Sequence, residues 1–363
     1  MKRKWLLLLF PIALILLTIT RNNPWIAEFI FARGIYKYYA LVWSSITQWI
    51  PFSLMELGII LLPAAVIGWV LWVIVRLVKS KKDRIKFLLR QILSVLCLGS
   101  VVFFWLTVTC LVNYNRYTFT QISGLEVRAS YKEELYELCL ELTQKANTLR
   151  EQLKKVDEEG AMALEDNSVR ELSKTARIAY QKLGEEYDVF TYKTAYTKPI
   201  YFSRAMSYTD LVGIYCPFTM ETNVNIDVSE YSRASTMTHE LAHYYGFMRE
   251  DEANFISYLA CINSDSLEFQ YSGVMLGLIH ATNQLYQVDL EKYREIWGQY
   301  NEGVRTDLVQ NNLYWQELRE SKIRQISETV NDAYLKANHQ EDGVKSYGRM
   351  VDLLLAWHRK QTE

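Results

Sequence analysis

The chain has 363 residues, of which 50% are hydrophobic and 13% are aromatic, and its formal net charge at pH 7 is −1. The charge is divided unevenly, because the residues up to Val112 contain thirteen Lys and Arg against three Asp and Glu, which leaves −11 for the remainder. The acidic C-terminal part argues against a nucleic-acid partner, and the apolar N-terminal third is typical of a membrane protein.

Three apolar runs predict membrane-spanning helices at about residues 5–20, 54–78 and 87–112. The second and third reach the ~20 residues that cross a bilayer, whereas the first contains Pro11 and is of marginal length. A cleaved signal peptide is the alternative for the first run, although "LTITRNNPW" offers no small-x-small cleavage site. The segment at about residues 26–50 is rich in Trp and Tyr, which predicts a helix in the membrane interface, with an ordinary buried helix as the alternative.

Two basic clusters predict the orientation of these spans. The cluster "MKRK" precedes the first span and "KSKKDRIK" separates the second from the third, so both are expected in the cytoplasm. Residues 1–113 then form the membrane domain of a multi-pass protein of the bacterial cytoplasmic membrane, and residues 114–363 form an extracytoplasmic domain.

The predicted extracytoplasmic domain has an α+β pattern. Helical periodicity extends from about Tyr131 to Tyr187, β-rich character extends from Val189 to Val228, and helical patterns follow up to the C-terminus. Helices, a short sheet and further helices in this order indicate a mainly helical α+β fold. The three cysteines of this part match no zinc or disulfide spacing, and we expect them to be buried thiols.

The stretch "STMTHELAHYYG" contains the motif H-E-x-x-H. We expect a helix here, because Ser235 is a suitable N-cap and Gly246 is a suitable end. His239 and His243 then project from one face, about 5–6 Å apart, where two imidazoles can bind one zinc ion. Glu240 stands beside them and can accept a proton from water without being a ligand. The alternative is a pair of hydrogen-bonded histidines on a buried structural helix.

A catalytic zinc ion has three protein ligands and one open position. The sequence "REDEANF" follows the first motif, and its Glu250 and Asn254 are four residues apart, which places them on one helical face. H-E-x-x-H followed by E-x-x-[small]-[Asp/Asn] resembles the gluzincin metallopeptidases, the thermolysin-like and membrane-bound CAAX-protease-like enzymes. The resemblance implies that Glu250 is the third zinc ligand and that Asn254 orients a ligand histidine, at a place where those families usually have Asp.

The sequence departs from the gluzincin pattern in two respects. In gluzincins, the segment between the second histidine and the glutamate ligand is usually longer than it is here. The shorter metzincin pattern would place the third ligand at Arg249, which cannot bind zinc. Glu252 is therefore the alternative third ligand, or a residue that supports the ligands. Because Asn254 carries no charge, it would leave its histidine less basic than an Asp would.

The resemblance to known families extends beyond the motif. Over nearly its whole length, including "GIYCPFTMETNVNI" and "NDAYLKANHQEDGVKSYGRMVDLLLAW", the chain is similar to a bacterial family catalogued as domain of unknown function 3810. That family is grouped with the metallopeptidases by its motif, and the resemblance implies no substrate.

Together these features predict a membrane-anchored zinc metallopeptidase that hydrolyses peptide bonds with Glu240 as general base. The segment "GIYCPFTMETNV" would hold an extended polypeptide as an added strand, with an ordinary core hairpin as the alternative. Tyr347 and Arg349 are candidate donors to the developing oxyanion. The expected partners are the lipid bilayer and a membrane-tethered or secreted polypeptide. The alternative function is a catalytically inactive envelope sensor or scaffold.

Overall fold

The computed structural model describes residues 2–79, 83–318, 322–337 and 349–362. The chain divides into two compact units, Met1–Arg116 together with Cys216–Met220, and Tyr117–Tyr215 together with Glu221–Glu363. We call the first the membrane unit and the second the C-terminal unit. The predicted domain boundary after residue 113 lies three residues before the end of the first segment of the membrane unit.

Three helices of the membrane unit are long and apolar enough to span a membrane, and they lie at Arg3–Asn22, Leu54–Lys79 and Arg84–Thr109. They agree with the three apolar runs of the sequence, except that the third begins and ends three residues earlier than expected. A 3-10 segment at Lys2–Leu8 precedes the α-helices, which are α1 (Leu9–Asn22), α2 (Lys37–Thr47), α3 (Leu54–Lys79) and α4 (Arg84–Thr109). None of the residues of α3, all of which are described, is buried, as expected for a helix that faces lipid.

The segment between the first two spans is helical in two pieces. A π-helix at Ile26–Tyr36 continues directly into α2. Within it, Glu28 is fully buried and accepts hydrogen bonds from Arg116 Nε at 2.8 Å and from Arg33 Nε at 2.7 Å. A carboxylate is buried in this way where cationic partners compensate its lost hydration. This face of the segment therefore packs into the membrane unit.

The C-terminal unit is mainly helical and contains one small sheet. Its strands are β1 (Lys198–Pro199), β2 (Gly213–Cys216) and β3 (Glu221–Val224), in the order β1-β3-β2, and β1 is parallel to β3. Its described helices are α5 (Phe119–Ser123), α6 (Lys132–Gln152), α7 (Val169–Glu186), α8 (Ser203–Ser207), α9 (Glu230–Tyr244), α10 (Glu250–Ile262), α11 (Leu267–Val288), α12 (Leu290–Gln299), α13 (Glu302–Gln316), α14 (Lys322–Ala337) and α15 (Met350–Thr362). This arrangement is the predicted combination of many helices and a short sheet.

The β-rich region at residues 189–228 contains less strand than its composition predicts. The short helix α8 lies inside it, and much of the remainder is loop. Several of its tyrosines pack against helix α9 instead, as in the hydrogen bond from Tyr192 Oη to the Tyr244 carbonyl at 3.3 Å. Tyr and Thr favour half-buried surfaces of any kind, so their abundance does not by itself specify a strand.

Helices α9, α10 and α11 form the centre of the C-terminal unit. Four buried phenylalanines surround one end of this centre, with ring centroids 5.5–6.1 Å apart, and they are Phe119, Phe190, Phe247 and Phe255. Helix α11 approaches α10 closely at Gly273, where a Cβ atom would lie 2.5 Å from Cys261 Cβ. All five cysteines lie in the described part of the chain, and all are buried thiols outside any disulfide, including the three of the C-terminal part for which we expected this.

A buried ionic network in the C-terminal unit joins helices α6, α11 and α13. Asp307 in α13 accepts hydrogen bonds from Arg150 Nε at 2.8 Å, from the Met162 amide at 2.7 Å and from Tyr271 Oη at 2.5 Å. The side chain of Asp307 is completely buried and that of Arg150 is 6% exposed. Because both charged side chains have lost their hydration, each is stabilised in its buried position by the opposite charge of the other.

Candidate metal centre

Helix α9 carries the H-E-x-x-H motif and is buried along most of its length. It begins at Glu230, and its N-cap residue is Ser229, six residues before the N-cap that we expected at Ser235. Ser235 lies inside the helix, and its amide donates a hydrogen bond to Ser272 Oγ at 2.9 Å. The helix packs against β3, α7, α10 and α11, which accounts for the uncharged residues around the motif.

A tight turn ends α9 and orients one of the two histidines. Gly246 has a φ of 86°, in the left-handed region that glycine adopts without strain. The Gly246 amide donates to the His243 carbonyl at 2.9 Å and the Phe247 amide donates to the Ala242 carbonyl at 3.1 Å, which is a Schellman motif. The turn directs the Phe247 carbonyl at His243 Nδ1, 2.7 Å away. Since a carbonyl only accepts, Nδ1 carries the proton and Nε2 keeps a lone pair for a metal.

Three side chains converge beyond this turn. His239, His243 and Glu250 each offer a ligand atom, and these atoms lie within 4.8 Å of one another. His239 Nε2 is 3.2 Å from Glu250 Oε2, and His243 Nε2 is 3.6 Å from Glu250 Oε1. The two imidazole rings are centred 4.7 Å apart at an angle of 89°. Glu250 is the first residue of α10, so the chain reversal after Gly246 brings it back to the histidines.

The two other residues that we predicted near the ligands, Asn254 and Glu252, have different neighbours. The side chain of Asn254 lies close enough to His239 to raise the pKa of its imidazole. Glu252 is buried and accepts a hydrogen bond from the Phe119 amide at 3.0 Å, at the start of α5. The structure therefore groups Glu250 with the histidines and gives Glu252 a contact at the start of another helix.

Glu240 lies beside the three converging side chains with 4% of its surface exposed. Its carboxylate accepts a hydrogen bond from the Tyr215 amide of β2, and Oε2 has no hydrogen-bond partner among the described residues. Burial, together with the charge of Glu250, raises the pKa of Glu240 to about 8. A buried oxygen without a donor costs free energy, so a bound group or a water molecule is expected at Oε2.

The pKa shifts of His243 and Glu250 suit a cation site, whereas the raised pKa of His239 favours the charged imidazole, which has to lose its proton before it can bind a metal. Burial lowers the pKa of His243 to about 4, which leaves its imidazole neutral at neutral pH, the form that binds metals. Burial also acts against the charged form of His239, but the hydrogen bond and the charge of Glu250 outweigh it and raise the pKa of His239. Burial likewise opposes ionisation of Glu250, but the two histidines outweigh it and lower its pKa.

These residues fit a divalent metal such as zinc. Two imidazole nitrogens and one carboxylate oxygen are the protein ligands of many catalytic zinc sites, in which the fourth position stays open. The side chains of His239, His243 and Glu250 remain 15%, 11% and 18% exposed, so solvent reaches them.

Of the two candidate oxyanion donors, only Arg349 lies within the described residues, and its ion pair is with another side chain. Arg349 Nε lies 3.5 Å from Asp251 Oδ2 in an ion pair, and Tyr347 lies outside the described residues. Asp251 follows Glu250 in α10, and successive helical residues project about 100° apart, so Arg349 pairs with a side chain on another face of the helix. The sequence spacing did not indicate which acidic residue the arginine would meet.

The sequence did not single out two residues that shape the position of Glu240, which are Gly213 and Tyr215. A Cβ atom at Gly213 would lie 2.8 Å from Glu240 Cδ and 2.7 Å from Thr236 Cγ2. Tyr215 donates its amide to Glu240, and its ring centroid is 6.4 Å from that of His243. The available signal was the glycine in "LVGIYC", because glycine within a strand marks a close approach of other atoms.

Comparison with other proteins assigns a family without an activity. No curated protein and no solved structure matches this chain. One family model matches residues 31–355, which include two of the three apolar helices and every residue of the candidate metal centre. The chain belongs to the family described as Protein of unknown function (DUF3810).

Proposed function

We propose that this protein is a membrane-anchored, zinc-dependent metallopeptidase of the gluzincin-like type, with a zincin-like C-terminal unit. The observation that carries the proposal is the convergence of His239, His243 and Glu250 beside Glu240. Within the described residues, Glu240 Oε2 has no hydrogen-bond partner, so it is available to a reacting water molecule.

The ligands and their supports have separate tasks in this proposal. His239, His243 and Glu250 would hold the zinc ion, and Asn254 and the Phe247 carbonyl orient the two imidazoles. A zinc ion bound there supplies a Lewis acid, which acidifies water and polarises a carbonyl group. The partial exposure of the three ligands supports an open catalytic site over a closed structural one.

Glu240 performs the proton transfers. It accepts a proton from the attacking water and donates that proton to the leaving amine. Burial raises the pKa of Glu240 above that of an ordinary carboxyl, which makes its carboxylate a stronger proton acceptor. The Tyr215 amide fixes its carboxylate, and the close packing of Gly213 limits its movement.

A polypeptide substrate is supported by the position of β2. This strand lies at one edge of the sheet, and it contains both Gly213 and Tyr215, which contact Glu240. An extended peptide that paired with an open strand edge would therefore lie close to the general base. The apolar helices and basic clusters support a membrane-tethered or secreted substrate outside the cytoplasm.

Zinc-dependent cleavage of peptides by the full-length protein tests this proposal. We expect the protein, purified in a mild detergent, to cleave members of a mixed peptide library, with the products detected by mass spectrometry. Chelation should abolish cleavage and added zinc should restore it. A folded, zinc-loaded protein that cleaves no peptide would contradict the proposal and favour the alternative of an inactive sensor or scaffold.

The close contact at Gly213 gives a separate prediction. Gly213→Ala places a methyl group against the Glu240 carboxylate, and a displacement of ~1 Å at a catalytic group costs about 10²-fold in activity. We expect that loss in kcat/KM with unchanged zinc content. Gly298→Ala is the control, because no atom lies within 4 Å of a Cβ at Gly298. Equal activity of the two variants would show that the position of Glu240 does not depend on Gly213.

A further inference from the structure

A cavity of about 270 Å³ lies between the end of α3 and the start of α4. Its walls carry four cationic side chains, and these are Arg76, Arg84, Lys86 and Arg90. Its volume corresponds to about nine water molecules at ~30 Å³ each, which is enough for a phosphate group and part of the group that bears it.

The charges around this cavity are unbalanced. Asp83 is the one acidic residue among those that line it, so the lining carries an excess of three positive charges. Cations held close together repel one another, and an anion bound among them relieves that repulsion. The positive end of the α4 helix dipole, which begins at Arg84, acts in the same direction.

The local backbone holds these cations together. Asp83 has a φ of 61°, and this left-handed residue leads directly into the first turn of α4. Arg84 Nη2 donates a hydrogen bond to the Val78 carbonyl at 3.2 Å, which ties the start of α4 to the end of α3. Lys86 and Arg90 are four residues apart and therefore share one face of α4.

The cavity also offers an apolar surface next to its cations. Leu77 and Phe87 are half-buried lining residues, and the Phe87 ring packs edge to face against Trp72 at 5.6 Å. Helices α3 and α4 have 26 residues each, about 39 Å at 1.5 Å per residue, which exceeds the ~30 Å hydrocarbon core of a bilayer. Their joined ends therefore lie at the level of the lipid headgroups.

We propose that this cavity binds the phosphate group of an anionic phospholipid. Guanidinium groups match phosphate oxygens in paired hydrogen bonds, and Lys86 adds a further charge. Leu77 and Phe87 contact the glycerol and the first carbons of the acyl chains. A free phosphate ion is also negatively charged, but it has no apolar group to contact Leu77 and Phe87. We therefore expect the cavity to bind a phospholipid in preference to free phosphate.

The test measures lipid binding to the full-length protein in an uncharged detergent. The result then does not depend on the orientation that the spans have in a membrane. The stability of the protein against heating is titrated with phosphatidylglycerol, with phosphatidylcholine and with inorganic phosphate. We expect phosphatidylglycerol to bind at least about tenfold more tightly than either of the others, because the cationic lining repels the choline cation and inorganic phosphate has no apolar part to contact Leu77 and Phe87.

The variant Lys86→Gln/Arg90→Gln should weaken phosphatidylglycerol binding by at least about tenfold. The control Arg3→Gln/Lys4→Gln removes the same charge from exposed positions outside the cavity and should change binding by less than about twofold. Arg90→Gln alone serves if the double variant does not fold. An equal effect of both double variants, no preference for phosphatidylglycerol over phosphatidylcholine, or equal binding of inorganic phosphate would each overturn the proposal.

Discussion

Replacing Glu240 by Gln is expected to lower kcat by about 10³-fold while zinc content remains at the wild-type level. Gln has nearly the same shape as Glu but cannot accept the proton of the attacking water. Glu240 does not belong to the three converging ligand side chains, so the metal should stay bound. The measurement combines kcat for a peptide found in the cleavage screen with metal analysis of the same preparation.

Glu268→Gln is the matched control for this prediction. Glu268 is a half-buried glutamate of α11 that accepts a hydrogen bond from the Glu165 amide at 2.6 Å, and it lies outside the candidate metal centre. We expect its kcat to stay within about twofold of wild type. A Glu240→Gln protein that retained more than about a tenth of wild-type activity would show that another group moves the proton.

Replacing Asp307 by Ala is expected to lower the free energy of unfolding by about 3–5 kcal/mol. The substitution leaves the buried Arg150 guanidinium without its counter-ion and removes the acceptor of Tyr271 Oη and of the Met162 amide. Denaturant unfolding of the full-length protein in detergent, followed by tryptophan fluorescence, measures the change.

An exposed ion pair provides the comparison for Asp307. Asp265 pairs with Lys182 at 2.5 Å but has a side chain that is 85% exposed, so Asp265→Ala should cost less than about 1 kcal/mol. The double variant Arg150→Met/Asp307→Leu should recover much of the loss, because it removes both buried charges together. A loss below about 1 kcal/mol for Asp307→Ala would show that the buried network contributes little to stability.

The three apolar helices and the helix that carries the H-E-x-x-H motif were predictable because their signals are local. A run of ~20 apolar residues satisfies its own backbone as a helix, so hydropathy located all three apolar helices. Spacing of four residues put His239 and His243 on one face, and Gly246 marked the end of their helix. Glu250 was predicted by resemblance, and the structure places it with the two histidines.

The contacts that adjust the site were not predictable, because they join residues far apart in the chain. Glu240 meets Gly213 and Tyr215 across a loop and a strand, and no local pattern encodes that pairing. Arg349 met Asp251, although its position in the sequence suggested a place near the reacting groups. The start of α9 was placed too late, because Ser235 resembles an N-cap but is held inside the helix by packing against α11.

The metal content of the purified full-length protein decides whether His239, His243 and Glu250 bind a metal ion. We predict about one zinc ion per chain in the wild type, as expected for a site with three protein ligands. His243→Ala should lose the metal, Glu250→Gln should weaken its binding, and Glu252→Gln should retain it, because Glu252 contacts the Phe119 amide instead. A folded wild-type protein without zinc, or zinc that depends on Glu252 and not on Glu250, would contradict the account.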